Sequence, residues 1–338
     1  MIQFSTTQLP VTTPVVDRLE LLRSQEELHQ AWSDLTEAQK GMTEVQEIME
    51  NIQTSIAALT KYGQAAVEQL NVEGSLESLL QVPARLITAE KAQEGLVDTA
   101  KEMWDKFVNW VKQMISKLKE FISRFLPQKF KVAETKLLEL KQSGATEGLI
   151  ATEGIKLVDY CETFISGAEK TINEIESIGS NISHVFNSLD KASKRPADEK
   201  SRDQLKEELE LIVFGKDSYF WKIKDAFTKL EELNEAGKYP EEFDDVKLPT
   251  ASVDKLLKIV KDAKSKCVPL RTFIMDASRE LAGMENLRKL YSNDGKQVEI
   301  LNIFITGFKG CLDDALKCIR ILNAVADRVI KITSTVKQ

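Results

Sequence analysis

At 338 residues, with 42% apolar and 29% charged side chains, the chain is too apolar to stay disordered and too charged for a membrane-spanning bundle. Glycine (15) and proline (8) are scarce and runs of alternating Val, Ile and Thr are missing, which excludes a strand-rich fold and predicts helix nearly throughout. The net charge of −7 argues against general nucleic-acid binding, yet it is uneven: residues 1–94 carry 6 basic and 14 acidic groups, 95–142 carry 10 and 6, and 143–338 carry 30 and 33.

Residues 1–15, with two prolines and no basic residue, read as an extended arm and not as a secretory signal. Residues 16–94 read as an acidic helical leader. Within it, 16–70 form one long helix, with an interruption expected near Gly41. Leu28, Ala31, Leu35, Ala38, Met42, Val45, Met49, Ile52, Ile56 and Leu59 alternate steps of three and four, the period that keeps one stripe facing a neighbouring helix. Gly74 and Pro83 punctuate residues 71–94, which read as a hinge with short helical pieces.

The next block, 95–190, opens on an aromatic amphipathic helix. Residues 103–125, "MWDKFVNWVKQMISKLKEFISRF", hold two of the four tryptophans and three of the fourteen phenylalanines. Ala100, Trp104, Phe107, Val111, Met114, Leu118, Phe121 and Phe125 again step by four and three. Trp110 falls off that stripe, so it is expected to face outward or towards a second partner. Pro127 is expected to end this helix, with a shorter one following over 130–142. A small-residue loop, "SGATEGLIATEG", precedes a second heptad helix: Val158, Cys161, Ile165, Ala168, Ile172, Ile175, Gly179, Ile182, Phe186 and Leu189.

The charged stretch 191–203 is the best candidate domain boundary. Residues 204–338 then read as a C-terminal helical bundle, with helices near 203–214, 217–236, 252–265, 269–291 and 296–333. Pro269 suits a first helical turn, and the last helix, apolar on more than one face, suits a central position. The architecture expected is all-α: an elongated bundle of long amphipathic helices, principally 28–70, 100–125 and 158–189, with no sheet.

No phosphate-binding glycine loop, nucleophile elbow, zinc-protease motif or dinucleotide fingerprint occurs in the sequence. His29 and His184 have no Cys or Ser at a useful spacing. Cys161, Cys267, Cys311 and Cys318 form no CxxC, so buried free thiols are expected and not a zinc site. "EEFDD" (241–245) lacks the alternation of a calcium loop. The reading is therefore of a non-enzymatic protein with no cofactor, no metal and no small-molecule substrate.

The aromatic helix has three readings. Its heptad suits a bundle seam. Its broad apolar face, with lysines opposite, suits a membrane surface, although Asp98, Glu102, Asp105 and Glu120 dilute the charge. Lys106, Lys112, Lys117, Lys119 and Arg124, with Lys129 and Lys131 beyond them, would also suit a sequence-blind contact with packaged DNA.

An extended arm, an acidic leader, a small-residue and Glu junction ("ITAEKAQEGL", 87–96) and an aromatic, lysine-rich helix ("AKEMWDKFVNWVKQMISKLKEFISRFLP", 100–127) follow one another. In this order the chain resembles the internal head proteins, virion structural proteins of large tailed bacteriophages and of the phiKZ-like giant phages especially. The resemblance covers mainly residues 1–160. It implies a protein of the capsid interior, made in the host cytoplasm, whose partners are other virion or capsid proteins, further copies of itself and packaged DNA. Some such proteins are ejected with the DNA. It also implies processing by a prohead protease after a small-x-Glu tripeptide, removing an acidic propeptide. Of several such tripeptides, Ala92-Gln93-Glu94 stands where the charge changes sign, so cleavage between Glu94 and Gly95 is expected. The alternative for Glu94 is a helix-capping role. The alternative for the whole chain is a membrane-active helical protein, pore-forming or membrane-remodelling, acting through 96–126.

Overall fold

The computed structural model describes residues 15–72, 75–80, 87–143, 155–194, 199–215, 243–245, 248–287 and 295–336. Residues 1–14 of the expected arm (1–15), the ATEG repeats and the helix near 217–236 lie outside the described residues, and Val15 already belongs to the first helix. Helix α1 runs from Val15 to Tyr62, about 72 Å at 1.5 Å per residue. Two short helices follow, α2 (Gln64–Val72) and α3 (Ser75–Leu80). Helix α4 (Ala89–Glu120) passes through a π-helical turn, Phe121–Phe125, into α5 (Leu126–Ser143). Then come α6 (Leu157–Ser193), α7 (Glu199–Phe214), α8 (Thr250–Leu287) and α9 (Gly295–Thr335).

The fold is all-α, and the stripes read from sequence are its seams. On α1, Ala31 to Leu59 of the predicted stripe are buried, with Leu28 packed at its edge. On α6, Cys161 to Leu189 face inward, and Val158 is half-buried. Helix α9 lies against α1, α4, α5, α6, α7 and α8, which is why it is apolar on several faces. Phe186 of α6 meets Phe273 of α8 and Phe308 of α9 edge-on, with ring centroids 5.4 and 5.5 Å apart. These three helices share one core.

Ion pairs and hydrogen bonds give the helix directions. Asp34 and Gln39 of α1 meet Lys117 of α4 and Asp313 of α9, while Glu27 and Gln46 meet Arg124 and Thr306, so α1 is antiparallel to both. Lys129 and Lys136 of α5 reach Asp327 and Ser334 of α9, making that pair parallel. Glu162, Glu169 and Glu176 of α6 pair with Lys255, Lys258 and Lys266 of α8, also parallel.

Five sequence expectations are corrected. Helix α1 is unbroken at Gly41. Its break falls at Gly63, whose φ of +56° is a left-handed conformation that glycine adopts without steric cost. The aromatic helix begins at Ala89 and not at Gly95, because Thr88 caps it, its Oγ1 accepting from Lys91 N at 3.4 Å. Pro127 does not end it. The π turn, in which Leu126 N donates to Phe121 O, shifts the hydrogen-bond register just before the residue that has no N–H to give. Pro269 likewise lies inside α8. The carbonyl it leaves unpaired belongs to exposed Ser265, where water can satisfy it, and its ring packs where a Cβ on Gly179 would lie 3.3 Å away. Finally, the expected absence of sheet has one exception among the described residues: Ile155–Lys156 pairs in parallel with Phe243–Asp245.

Candidate functional site

The aromatic helix α4 is the sequence feature that most needs a role, and its surroundings define the candidate site. Its heptad turns Trp104, Phe107, Val111, Met114 and Leu118 to one side, and the π turn adds Phe121 and Phe125; all seven are buried. The aromatic cluster is completed from α1. Trp32 lies over Phe121 with centroids 4.2 Å apart, and Phe121 meets Phe125 at 5.2 Å. Trp32 sits beside the α1 stripe, not on it, and a reading by period alone passes over it.

Trp110 is half-buried and packs on the core. It does not simply face outward, because its indole lies across Gly41 of α1. A Cβ at Gly41 would come 2.5 Å from Trp110 Nε1 and 2.7 Å from Cδ2. Gly41 is therefore the socket of Trp110, which explains a glycine inside an unbroken helix.

The two helices also match in charge. Lys117 Nζ stands 2.8 Å from Asp34 Oδ2 and Arg124 pairs with Glu27. The Lys117 hydrogen bond holds the Asp34 carboxyl below its ordinary range, and Asp34 pushes Lys117 up. Positions 27, 34 and 41 on α1 thus meet 124, 117 and 110 on α4, seven residues apart on each. The predicted basic face is divided accordingly. Lys117 and Arg124 are engaged by α1, whereas Lys106, Lys112 and Lys119 are exposed.

The other flank of α1 is polar. Gln39 Nε2 donates to Asp313 Oδ1 (3.0 Å), Gln46 Nε2 to Thr306 Oγ1 (3.5 Å), and Gln53 Oε1 accepts from Asn302 Nδ2 (2.7 Å). These glutamines recur every seven residues, a signal legible in the sequence that an apolar-periodicity reading does not use. A groove of about 240 Å³ opens beside this ladder, lined by Gln46, Glu50, Gln53, Glu299 and Asn302 among others.

Ala92 is buried and Glu94 exposed in the first turns of α4. Neither Glu94 nor Gly95 is at a helix end, so Glu94 is not the cap. A Cβ on Gly95 would meet Leu80 Cδ2 of α3 at 2.8 Å. His29 and His184 are exposed. The four cysteines are buried free thiols, and burial raises Cys161 and Cys267 to about 12. Such thiols are inert at neutral pH. Among the described residues no group of His, Cys, Asp and Glu side chains is arranged to hold a metal ion. No described helix is long and apolar enough to cross a membrane, and the apolar face of α4 that a lipid surface would need is covered by α1.

With this geometry in view, comparison with known families is decisive: that of the phiKZ-like phage internal head proteins matches residues 16–249, well over half of the chain. The chain belongs to this family. No curated protein and no solved structure matches it. As an internal head protein it is a structural component of the virion interior, associated with other virion components. The match takes in nearly all of α1 and the whole of α4, and it extends past residue 160, where the resemblance read from sequence stopped. It ends just before α8.

Proposed function

We propose that this internal head protein acts by packing within the capsid, against other virion proteins and packaged DNA, with residues 16–94 serving as a cover over the aromatic, basic helix. The supporting observation is the fit of α1 on α4. One helix supplies an apolar stripe, a socket for Trp110 and the carboxylates of Asp34 and Glu27, opposite the ring and the two cations they match. While α1 is docked, Lys117 and Arg124 are neutralised and the aromatic face is dry.

Cleavage between Glu94 and Gly95 would convert the covered form to an open one. The two residues are helical, so a protease needs the first turns of α4 unwound, and the cut would separate α4 from its Thr88 cap. Cutting the backbone does not by itself release α1, which is still held by the α4 seam and the glutamine ladder. Removal of 1–94 takes −8 from a net −7 and leaves about +1, a chain no longer repelled by DNA. N-terminal peptide mapping of the protein from mature particles tests this. Peptides opening at Gly95, with 16–70 depleted, are expected. Peptides from 16–70 at full stoichiometry would show that the leader stays and the proposal fails.

A further inference from the structure

Where α1 meets α4, the cations of one helix are matched by carboxylates of the other at seven-residue intervals. Two solvent-facing sets of charges, one on α1 and one on α8, have no partner helix. On α1 the solvent-facing stripe opposite the core carries Glu37, Glu44 and Glu47. On α8 the solvent-facing stripe carries Lys261, Lys264 and Arg271. All six are exposed. Among the described residues Glu44 has one partner, exposed Lys40 at 3.6 Å on its own helix, and the other five have none. Each set lies within about 80° of helix circumference and spans about 15 Å.

We propose that these stripes are the two halves of one interface, and that α8 of one copy receives α1 of a second copy. The spacings carry the assignment. The acids are separated by seven and then three residues, the bases by three and then seven, so an antiparallel pairing sets Glu47 against Lys261, Glu44 against Lys264 and Glu37 against Arg271 in a single register. The same register brings Lys40 level with Val268, whose side chain is 63% exposed and can be covered by the lysine's methylene stem. This is the lattice α1 already uses on α4, where Glu27 and Asp34 meet Arg124 and Lys117 antiparallel at seven-residue steps.

The contact cannot form within one chain. There α4 and α9 both touch α1 and α8, which share no substantial contact, and α1 runs parallel to α8: it opposes α9, α9 opposes α6, with Phe308 on Phe186 and Cys311 on Ile182, and α6 follows α8. A reversed helix of a second copy supplies the direction the charges need. The operator relating the copies is a half-turn, which closes at two copies or, with a translation, propagates. The interface belongs to the chain that retains its leader and does not depend on cleavage or DNA, so its failure leaves the cover reading of α1 on α4 standing.

The test uses the purified full-length protein in sedimentation velocity and light scattering, at about 50 mM and about 500 mM salt. Association is expected at low salt and is expected to weaken at high salt. The triple variant Glu37→Lys, Glu44→Lys, Glu47→Lys and the triple variant Lys261→Glu, Lys264→Glu, Arg271→Glu should each associate about tenfold or more weakly, with helical circular dichroism unchanged. An equimolar mixture of the two should restore association, because each then carries the complement of the other. A monomeric wild type at every concentration, reversals without effect, or a mixture that fails to rescue would overturn the proposal. So would a monomeric wild type that binds duplex DNA through Lys261, Lys264 and Arg271, since the stripe would then serve a polyanion.

Discussion

Replacing Gly41 by alanine would ordinarily strengthen a helix, by about 1 kcal/mol of backbone propensity. Here the added methyl would sit 2.5 Å from Trp110 Nε1 and 2.7 Å from Cδ2, against contact distances near 3.5–4 Å. Trp110 is wedged between α1 and its own helix, so relief requires the indole to leave its socket or the helices to part. Overpacking of this kind costs about 1–3 kcal/mol, occasionally more. Gly41→Ala is therefore expected to be neutral to destabilising, by up to about 2 kcal/mol net. In a Trp110→Ala background the clash is gone, and the same substitution should stabilise by about 0.5–1 kcal/mol. The sign reversal, a coupling near 2 kcal/mol, is read by urea denaturation of the four proteins of a double-mutant cycle. If Gly41→Ala is stabilising in both backgrounds, the socket does not exist and the α1–α4 register is wrong.

Two further outcomes are expected. Phe107→Ala and Leu118→Ala, both at fully buried seam positions, should each cost about 2–5 kcal/mol; unchanged stability with loss of liposome or DNA binding would instead mark α4 as an exposed contact helix. Asp314 is buried on α9, and desolvation raises its carboxyl from 3.8 to about 7. Because the folded pKa lies above the unfolded one, the folded chain keeps this proton while the unfolded chain releases it, and the group's contribution to stability falls as pH rises from about 4 to 7, then levels. The span is at most about 4 kcal/mol, so the stability advantage of Asp314→Asn should grow across that window, and a gap independent of pH would refute it.

The long seams were legible because a stripe repeated over many turns can be made by few other structures. Ala31 to Leu59 on α1 and Cys161 to Leu189 on α6 announce buried faces without knowledge of what covers them. A local rule misleads where the reason for a residue is distant. Gly41 looked like a break because its cause, Trp110, lies far along the chain on another helix, and Trp110 looked unpartnered for the same reason. Pro127 and Pro269 looked like ends because proline lacks an N–H, and the chain absorbs that loss by a π turn in one place and by an exposed carbonyl in the other. The aromatic side of the candidate site was visible. Its acidic counterpart, Glu27 and Asp34, was visible only as a sum of charge, since opposite charges say nothing of register until two helices are laid side by side.

The glutamine ladder has a consequence for the order in which the molecule comes apart. Between α1 and α9 the bonds join amide, hydroxyl and carboxylate groups, for which water can substitute, so opening them changes free energy less than exposing apolar surface does. Between α1 and α4 water must wet the rings of Trp32 and Phe121 and a row of aliphatic side chains, and no substitute bond is gained. Helix α1 is thus hinged on one edge and latched on the other. In hydrogen exchange, α1 amides should exchange together, by an opening that leaves α9 against α6 protected, a partial unfolding smaller than global unfolding. Exchange of α1 amides only together with those of α6 and α9 would show that the first long helix cannot leave without the rest of the core.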